Sequence, residues 1–467
     1  FATRGVADYT VVQAEEGKPN GTFLLAKPAD NANYKANVEM FAKSFDGNRN
    51  KAYATWQYFG SPVKSADRNQ LPLETTWVRK YDRTLNVPNS DEKWTDVDNG
   101  TLAQGQAYEI SQPKPATYRF IGELNTADFT FPVDGMASAT NYQDMNILAN
   151  PYTGAMSIDK LDFSGATAAD KVVYLFNTGS RKDWIANSGP TTNGTTQGQY
   201  TKAIPANLAG HVAGMPNQIP SLSSFMVKST AAGNLKYRYA DLVTATEENR
   251  APQRHFHSLA VDVESAKTAD RLWLVQAEGT TDRYDNGWDG EKIFAPGEAA
   301  LYAMQDRSYQ VTTTDAIGET KVGFVPGDGE QNYKLTFHLD GGDGTQQYTL
   351  LDKRTGLTRA IHDGDTYEFT ATKGDAAHRF TILGNGAKAT ADQRGFQISA
   401  DLRRNFTVKN FTDQPAEALV FDAAGKIQAR FTVEPGSENT GTVVMPGAYV
   451  VRVSNKVTTL TQRFVMP

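Results

Sequence analysis

Short runs in which apolar and polar residues alternate recur along the whole chain, each stopped by Gly, Pro, Asn or Asp. A period of two sends successive side chains to opposite faces of an extended strand, so these runs bury one face of a sheet and lack the stripe of a helix. Ala54-Thr55-Trp56-Gln57-Tyr58-Phe59, Trp77-Val78-Arg79-Lys80-Tyr81 and Tyr333-Lys334-Leu335-Thr336-Phe337 are clear instances. Gly60-Ser61-Pro62 and Asp98-Asn99-Gly100 supply the backbone freedom that turns need. No long amphipathic helical pattern interrupts the series, and 39 Gly, 20 Pro, 20 Tyr and 23 Phe suit many short strands joined by tight turns. The chain is expected to be all-β.

At 467 residues the chain exceeds one hydrophobic core and must be divided. Residues 1–140 read as a β-sandwich. Residues 141–250 read as a second copy: Phe59-Gly60-Ser61-Pro62-Val63 answers to Leu148-Ala149-Asn150-Pro151-Tyr152, and Trp77-Val78-Arg79-Lys80-Tyr81 to Val172-Val173-Tyr174-Leu175-Phe176. Ala107-Tyr108-Glu109-Ile110-Ser111 likewise matches Phe225-Met226-Val227-Lys228-Ser229, and Tyr118-Arg119-Phe120 matches Tyr237-Arg238-Tyr239. The late pairs share nearly one offset that the early pairs do not, which places an insertion in the second copy. The polar stretch from Ser180 to Gln218, rich in Asn, Gly, Thr and Pro, reads as that insertion and as an exposed loop. Residues 255–384 carry closely spaced strand runs and suggest a jelly-roll-like sandwich. A linker from Gly384 to Arg394 then leads to a small terminal domain, 395–467.

Composition excludes several function classes. A net charge of −6 spread over this length gives no attraction to nucleic acid or anionic lipid. Apolar runs fall short of a membrane-spanning helix. The absence of Cys removes disulfides, thiolate metal sites and cysteine nucleophiles together. Because the sequence starts at Phe1, it is expected to be a mature form or a fragment of something longer.

Enzyme signatures are missing: there is no Gly-x-Ser-x-Gly elbow, no His-Glu-x-x-His helix and no phosphate-binding Gly-x-x-x-x-Gly-Lys loop. His255 and His257, two apart, share one face of a strand, a spacing open to a transition metal or to a plain surface pair. The most distinctive polar segment is Tyr284-Asp285-Asn286-Gly287-Trp288-Asp289-Gly290-Glu291-Lys292. Asp285, Asp289 and Glu291 offer hard oxygens for calcium, although Pro296 stands where a helix-loop-helix site needs its bidentate Glu. The favoured alternative is a turn in which Asp and Asn side chains bond the loop backbone. Trp184, at the start of the polar stretch, is the candidate platform for stacking a surface glycan. Trp56, Trp77 and Trp273 lie in alternating strands and are expected in the core.

The terminal segment carries a run of recognisable order. Ala418-Leu419-Val420-Phe421 leads into a turn, Asp422-Ala423-Ala424-Gly425-Lys426; Gly447-Ala448-Tyr449-Val450-Val451-Arg452-Val453 follows, and Gln462-Arg463-Phe464-Val465 closes the chain. This order resembles the C-terminal sorting domain of type IX secretion cargo in Bacteroidota. The resemblance covers roughly a seventh of the chain and rests on Asp422, Gly425, Lys426, Gly447, Tyr449, Val451 and Val453. The Asn150-Pro151-Tyr152 element, Ile158-Asp159 and Ile219-Pro220-Ser221-Leu222 are similar to a pattern common in large secreted proteins with that domain. The resemblance implies export by the type IX machinery to the extracellular or outer-membrane surface and an immunoglobulin-like terminal sandwich. The full expectation is therefore tandem jelly-roll-like β-sandwiches with that terminal domain, in a non-catalytic structural or adhesive surface protein. Its partners would be surface glycans or a self-assembly partner. The alternative is an accessory, carbohydrate-binding region of a larger secreted glycoside hydrolase or peptidase.

Overall fold

The computed structural model describes residues 10–15, 20–44, 54–136, 142–178, 199–244, 256–295, 297–342, 344–384, 395–400, 404–412, 414–456 and 459–466. Among these, regular structure consists of strands and single 3-10 turns, and the fold is all-β. The alternating runs become strands as their period requires.

The first block holds β1 (Thr10–Val12), β2 (Lys35–Ala42), β3 (Gln57–Gly60), β4 (Ala66–Asp67), β5 (Trp77–Tyr81), β6 (Trp94–Asp96), β7 (Thr101–Leu102), β8 (Ala107–Ser111) and β9 (Ala116–Glu123). The second holds β10 (Phe129–Val133), β11 (Met145–Ala149), β12 (Ala155–Ser157), β13 (Asp162–Gly165), β14 (Val172–Thr178), β15 (Gln199–Pro205), β16 (Gln218–Ile219), β17 (Ser224–Lys228), β18 (Gly233–Tyr237) and β19 (Leu242–Val243). Their main sheets run β3-β8-β5-β6 and β11-β17-β14-β15, the same order in the same sequence of strands. The flanking pairs correspond as well: β2 with β9 and β4 with β7 in one block, β10 with β18 and β12 with β16 in the other. A 3-10 turn follows β4 at Arg68–Gln70 and β12 at Ile158–Lys160.

Two details depart from the sequence reading. Strand β10, which a boundary at 140 leaves in the first block, pairs along its full length with β18 of the second. Within the stretch from Ser180 to Gln218, read as an exposed loop, β15 pairs with β14 over seven residues, and Leu208, Val212 and Met215 are buried behind it. The abundance of Asn, Gly and Thr masked the alternation of Thr201-Lys202-Ala203-Ile204.

The two four-stranded sheets pack face to face. Tyr81, Trp94 and Ala107 of one meet Ile147, Ala149, Val172, Tyr174 and Met226 of the other in a single apolar cluster. At Gly60 an added Cβ would lie 2.2 Å from the Ala149 Cβ, so only a residue without a side chain fits there.

The third block is one continuous sheet. Its strands are β20 (His257–Glu264), β21 (Ala269–Gln276), β22 (Gly290–Glu291), β23 (Ala300–Met304), β24 (Ser308–Thr314), β25 (Glu319–Val325), β26 (Asn332–Asp340), β27 (Tyr348–Asp352), β28 (Leu357–Ile361), β29 (Thr366–Thr370) and β30 (His378–Gly384). They run β28-β27-β30-β25-β23-β24-β21-β20-β26-β29, with β22 on β24. The sheet bends so that its arms meet as sandwich layers: the Phe369 ring on β29 lies 5.0 Å from Phe380 on β30, and Tyr333 on β26 lies 4.8 Å from Phe324 on β25. Arginines stitch the arms. Arg379 pairs with Asp352 at 2.9 Å with both side chains buried, and Arg359, Arg354 and Arg379 donate to the Thr366 and Thr370 carbonyls of β29. The outer face of the sheet is not free either, since Ala260, Trp273, Val275 and Val311 enter the core of the second block.

The terminal block forms a seven-stranded immunoglobulin-like sandwich. Sheet β31-β32-β35 covers sheet β34-β33-β36-β37, built from β31 (Phe396–Ala400), β32 (Asn405–Asn410), β33 (Ala416–Asp422), β34 (Ile427–Val433), β35 (Glu438–Thr442), β36 (Gly447–Ser454) and β37 (Thr459–Met466). Phe406, Val408, Ala418, Val420, Val451 and Val453 fill it.

Candidate functional site

The polar segment singled out in the sequence sits at the seam between the second and third blocks. It has to turn sharply between β21 and β22, and Gly287 takes a positive φ of 90° there. The Asp285 carbonyl accepts from the amides of Trp288 and Asp289, both at 3.0 Å. The Asp285 carboxylate accepts from the Thr281 amide at 2.6 Å and its hydroxyl at 3.0 Å. Asp289, fully buried, accepts from the Asp285 amide at 2.7 Å through Oδ2 and from the Thr313 amide at 2.6 Å through Oδ1. Burial drives the Asp289 carboxyl up to about 7 against the pull of those two amides.

The remaining polar groups reach out of the loop. Asn286 Oδ1 accepts from the Lys171 amide at 2.6 Å, its Nδ2 donates to the Ala169 carbonyl at 3.2 Å, and the Asn207 amide donates to the Gly287 carbonyl at 3.1 Å. Glu291 lies between Lys228 of the second block at 2.6 Å and Arg307 of the third at 2.8 Å. Burial alone would raise its carboxyl, but Lys228 and Arg307 outweigh that and hold it below the ordinary range. Arg307 also covers the Tyr284 ring at 4.4 Å, and Trp288 packs edge-on against Phe256 at 5.6 Å. The segment is thus a clamp between blocks.

This geometry bears on the candidate metal residues. Calcium needs oxygens converging on one point. Asp285, Asp289 and Glu291 each serve different donors, and among the described residues no three His, Asp or Glu side chains are grouped to hold an ion. The sequence reading missed Lys171, Lys228, Asn207 and Arg307 as partners of the loop, because nothing local marks a residue whose contact lies far along the chain. The Asn286-Gly287 pair was the available signal, and it indicated the turn alone.

The other candidates are dispersed, as are His338, His362 and His378. His255 and Trp184 lie outside the described residues. His257 bonds the Tyr348 hydroxyl at 2.5 Å and the Asp340 carbonyl at 3.0 Å. His338 meets Asp262 at 3.0 Å, and His362 meets Asp365 at 3.0 Å. His378 is pushed down to about 4 by burial and the neighbouring Lys353 and Lys321. Trp273 is buried as expected, whereas Trp56 and Trp77 are half-buried. The pair stack at 6.3 Å with the Arg79 guanidinium 3.8 Å over Trp56, on the face of β5 opposite Val78 and the first block's own core.

The residues of the terminal motif are gathered on one sheet. Asp422 Oδ1 accepts from the amides of Ala424 at 2.9 Å and Lys426 at 3.0 Å, with Gly425 at φ 77°, which builds the turn between β33 and β34. Those bonds depress the Asp422 carboxyl below its usual value. Gly447 opens β36 at φ 151°. Tyr449 donates its hydroxyl to the Met445 carbonyl four residues upstream at 2.6 Å, as a tyrosine corner does, and Val451 and Val453 are fully buried. Every one of these residues maintains the sandwich.

Among known proteins, the minor fimbrium subunit Mfa5 of Porphyromonas gingivalis is 30% identical across 98% of this chain, which spans 38% of that protein's length. Solved structures align at low similarity. A biofilm-associated protein BSP domain covers 100% of this chain and 99% of its own at 10% identity and TM-score 0.14. A Salmonella alpha-2-macroglobulin covers 92% of this chain and 40% of its own at 9% identity and TM-score 0.15. Among the described residues no helix is long and apolar enough to cross a membrane. A family profile matches residues 30–383, three of the four blocks, and the chain belongs to that family, described as a domain of unknown function (DUF8693).

Proposed function

We propose that this chain is a non-catalytic structural and adhesive protein of the bacterial cell surface, working as part of a fimbrial assembly. The observation that carries the reading is the match to a minor fimbrium subunit along 98% of the chain. The architecture is consistent with it. Polar groups in the most distinctive segment are spent on holding its own turn and on joining blocks, with none arranged as nucleophile, base and oxyanion donor around a common point. In this reading the terminal sandwich is the type IX export signal, with the Asp422 turn and the Tyr449 strand as its framework, and the upstream blocks are the cargo. Surface glycans and other subunits of the assembly are the proposed partners.

The test is deletion of residues 405–467 in a host that has the type IX system. The expected outcome is loss of the protein from the cell surface and its retention in the periplasm, with the upstream blocks still resistant to protease. Surface display of the truncated chain at the normal level would refute the export role. Absence of the full-length chain from purified fimbriae would refute the assembly role.

A further inference from the structure

Lys292 directly follows the clamp, and its side chain is completely enclosed, with a relative exposure of 0 %, opposite Asp270 at 2 %. The ammonium nitrogen lies 2.6 Å from one Asp270 oxygen and 2.5 Å from the other. An ordinary ammonium–carboxylate hydrogen bond is about 2.7–2.9 Å long. The second oxygen also accepts the Leu301 amide at 2.7 Å, a donor fixed by the pairing of β23 in the sheet. Among the described ion pairs, other lysines that meet a carboxylate do so with solvent access; the other fully enclosed pair, Arg379 with Asp352, has a guanidinium in place of the amine.

We infer that Lys292 and Asp270 form an intramolecular isopeptide bond. Transfer of one proton from Nζ to the carboxylate gives an amine and a carboxylic acid in contact. The Nζ lone pair attacks Cγ, and the Leu301 amide supports the oxygen on which negative charge develops. A second Nζ proton passes to the departing hydroxyl, the Cγ–O bond breaks, and one water leaves. The product is a secondary amide whose carbonyl still accepts from Leu301. No oxidant, cofactor or second chain is consumed. Enclosure favours the product, because an amide has far less hydration to lose than two ions. Fixed proximity supplies the rate, as it does for other reactions between groups held in contact.

The bond would close the segment from β21 to β22 into a covalent ring containing the whole clamp. Such a staple takes the place that disulfides fill in other exported proteins, and this chain has no Cys.

The experiment is intact-mass measurement of the purified full-length chain after denaturation, followed by tryptic mapping. The expected mass is one water below that of the sequence. The expected fragment is a branched peptide joining Thr268-Ala269-Asp270-Arg271 to the peptide that begins at Tyr284 and runs through an uncleaved Lys292 to Arg307. Lys292→Arg, which keeps the positive charge and lacks a reactive amine, should have its full sequence mass and no branched peptide. A wild-type mass equal to the sequence overturns the inference, whatever the variant does. So does a water loss that maps elsewhere, for instance to cyclisation at Asp289-Gly290.

Discussion

Replacing Asp289 by Asn isolates the energetics of the buried carboxyl that anchors the clamp loop to the third block. The wild-type carboxyl is fully buried, accepts two backbone amides and titrates at about 7, against an ordinary value near 3.8. A carboxyl whose folded-state value is raised contributes stability that is complete below its unfolded value and is lost as pH rises through the folded one. At about 1.4 kcal/mol per unit, the elevation corresponds to about 4 kcal/mol in full, of which about 2–3 kcal/mol falls between pH 5 and pH 8. Asn does not titrate. Its NH2 group would face one of the two amides, a fixed penalty of about 1–3 kcal/mol at every pH. Urea unfolding of both proteins from pH 5 to pH 8, followed by tryptophan fluorescence, separates the two terms. The wild type should lose about 2–3 kcal/mol relative to Asp289→Asn as pH rises across that window. A difference that stays flat, or that moves in favour of the wild type at high pH, would refute the claim that burial controls this carboxyl.

Two further substitutions probe other joints. Asp352→Ala leaves the Arg379 guanidinium enclosed without its carboxylate, and should cost about 3–5 kcal/mol in urea unfolding of the third block. Gly60→Ala forces a Cβ against Ala149 between the two facing sheets and should cost about 1–3 kcal/mol, read as a lower melting temperature; an unchanged one would show that the sheets can move apart.

Much of the fold was legible because alternation is a local signal. Tyr333-Lys334-Leu335-Thr336-Phe337 declares its buried face residue by residue, and Tyr333, Leu335 and Phe337 are buried. The terminal motif was legible for the same reason: a turn and its flanking strands carry their own chemistry. Strand partners were less so. Phe129–Val133 includes Pro132, which blurs the alternation, and its assignment depends on Gly233–Tyr237, a hundred residues downstream. Candidate-site residues fared according to the reach of their bonds. The Asp285 carboxylate and Oδ2 of Asp289 are satisfied within or beside the loop by turn chemistry, whereas Oδ1 of Asp289 takes the Thr313 amide of β24, which no local signal marks. The roles of Asn286 and Glu291 depend on Lys171 and Lys228, whose positions only the packed blocks define.

The arginine seam along β29 has a consequence for life in a crowd of similar molecules. A strand at the border of a sheet offers a row of open backbone acceptors to which a stray peptide can add. Here guanidinium groups from Arg354, Arg359 and Arg379 already occupy the carbonyls of Thr366 and Thr370. An invading strand would have to displace a guanidinium group before bonding at either of these carbonyls. Among strand-rich neighbours, that part of the border resists unwanted pairing.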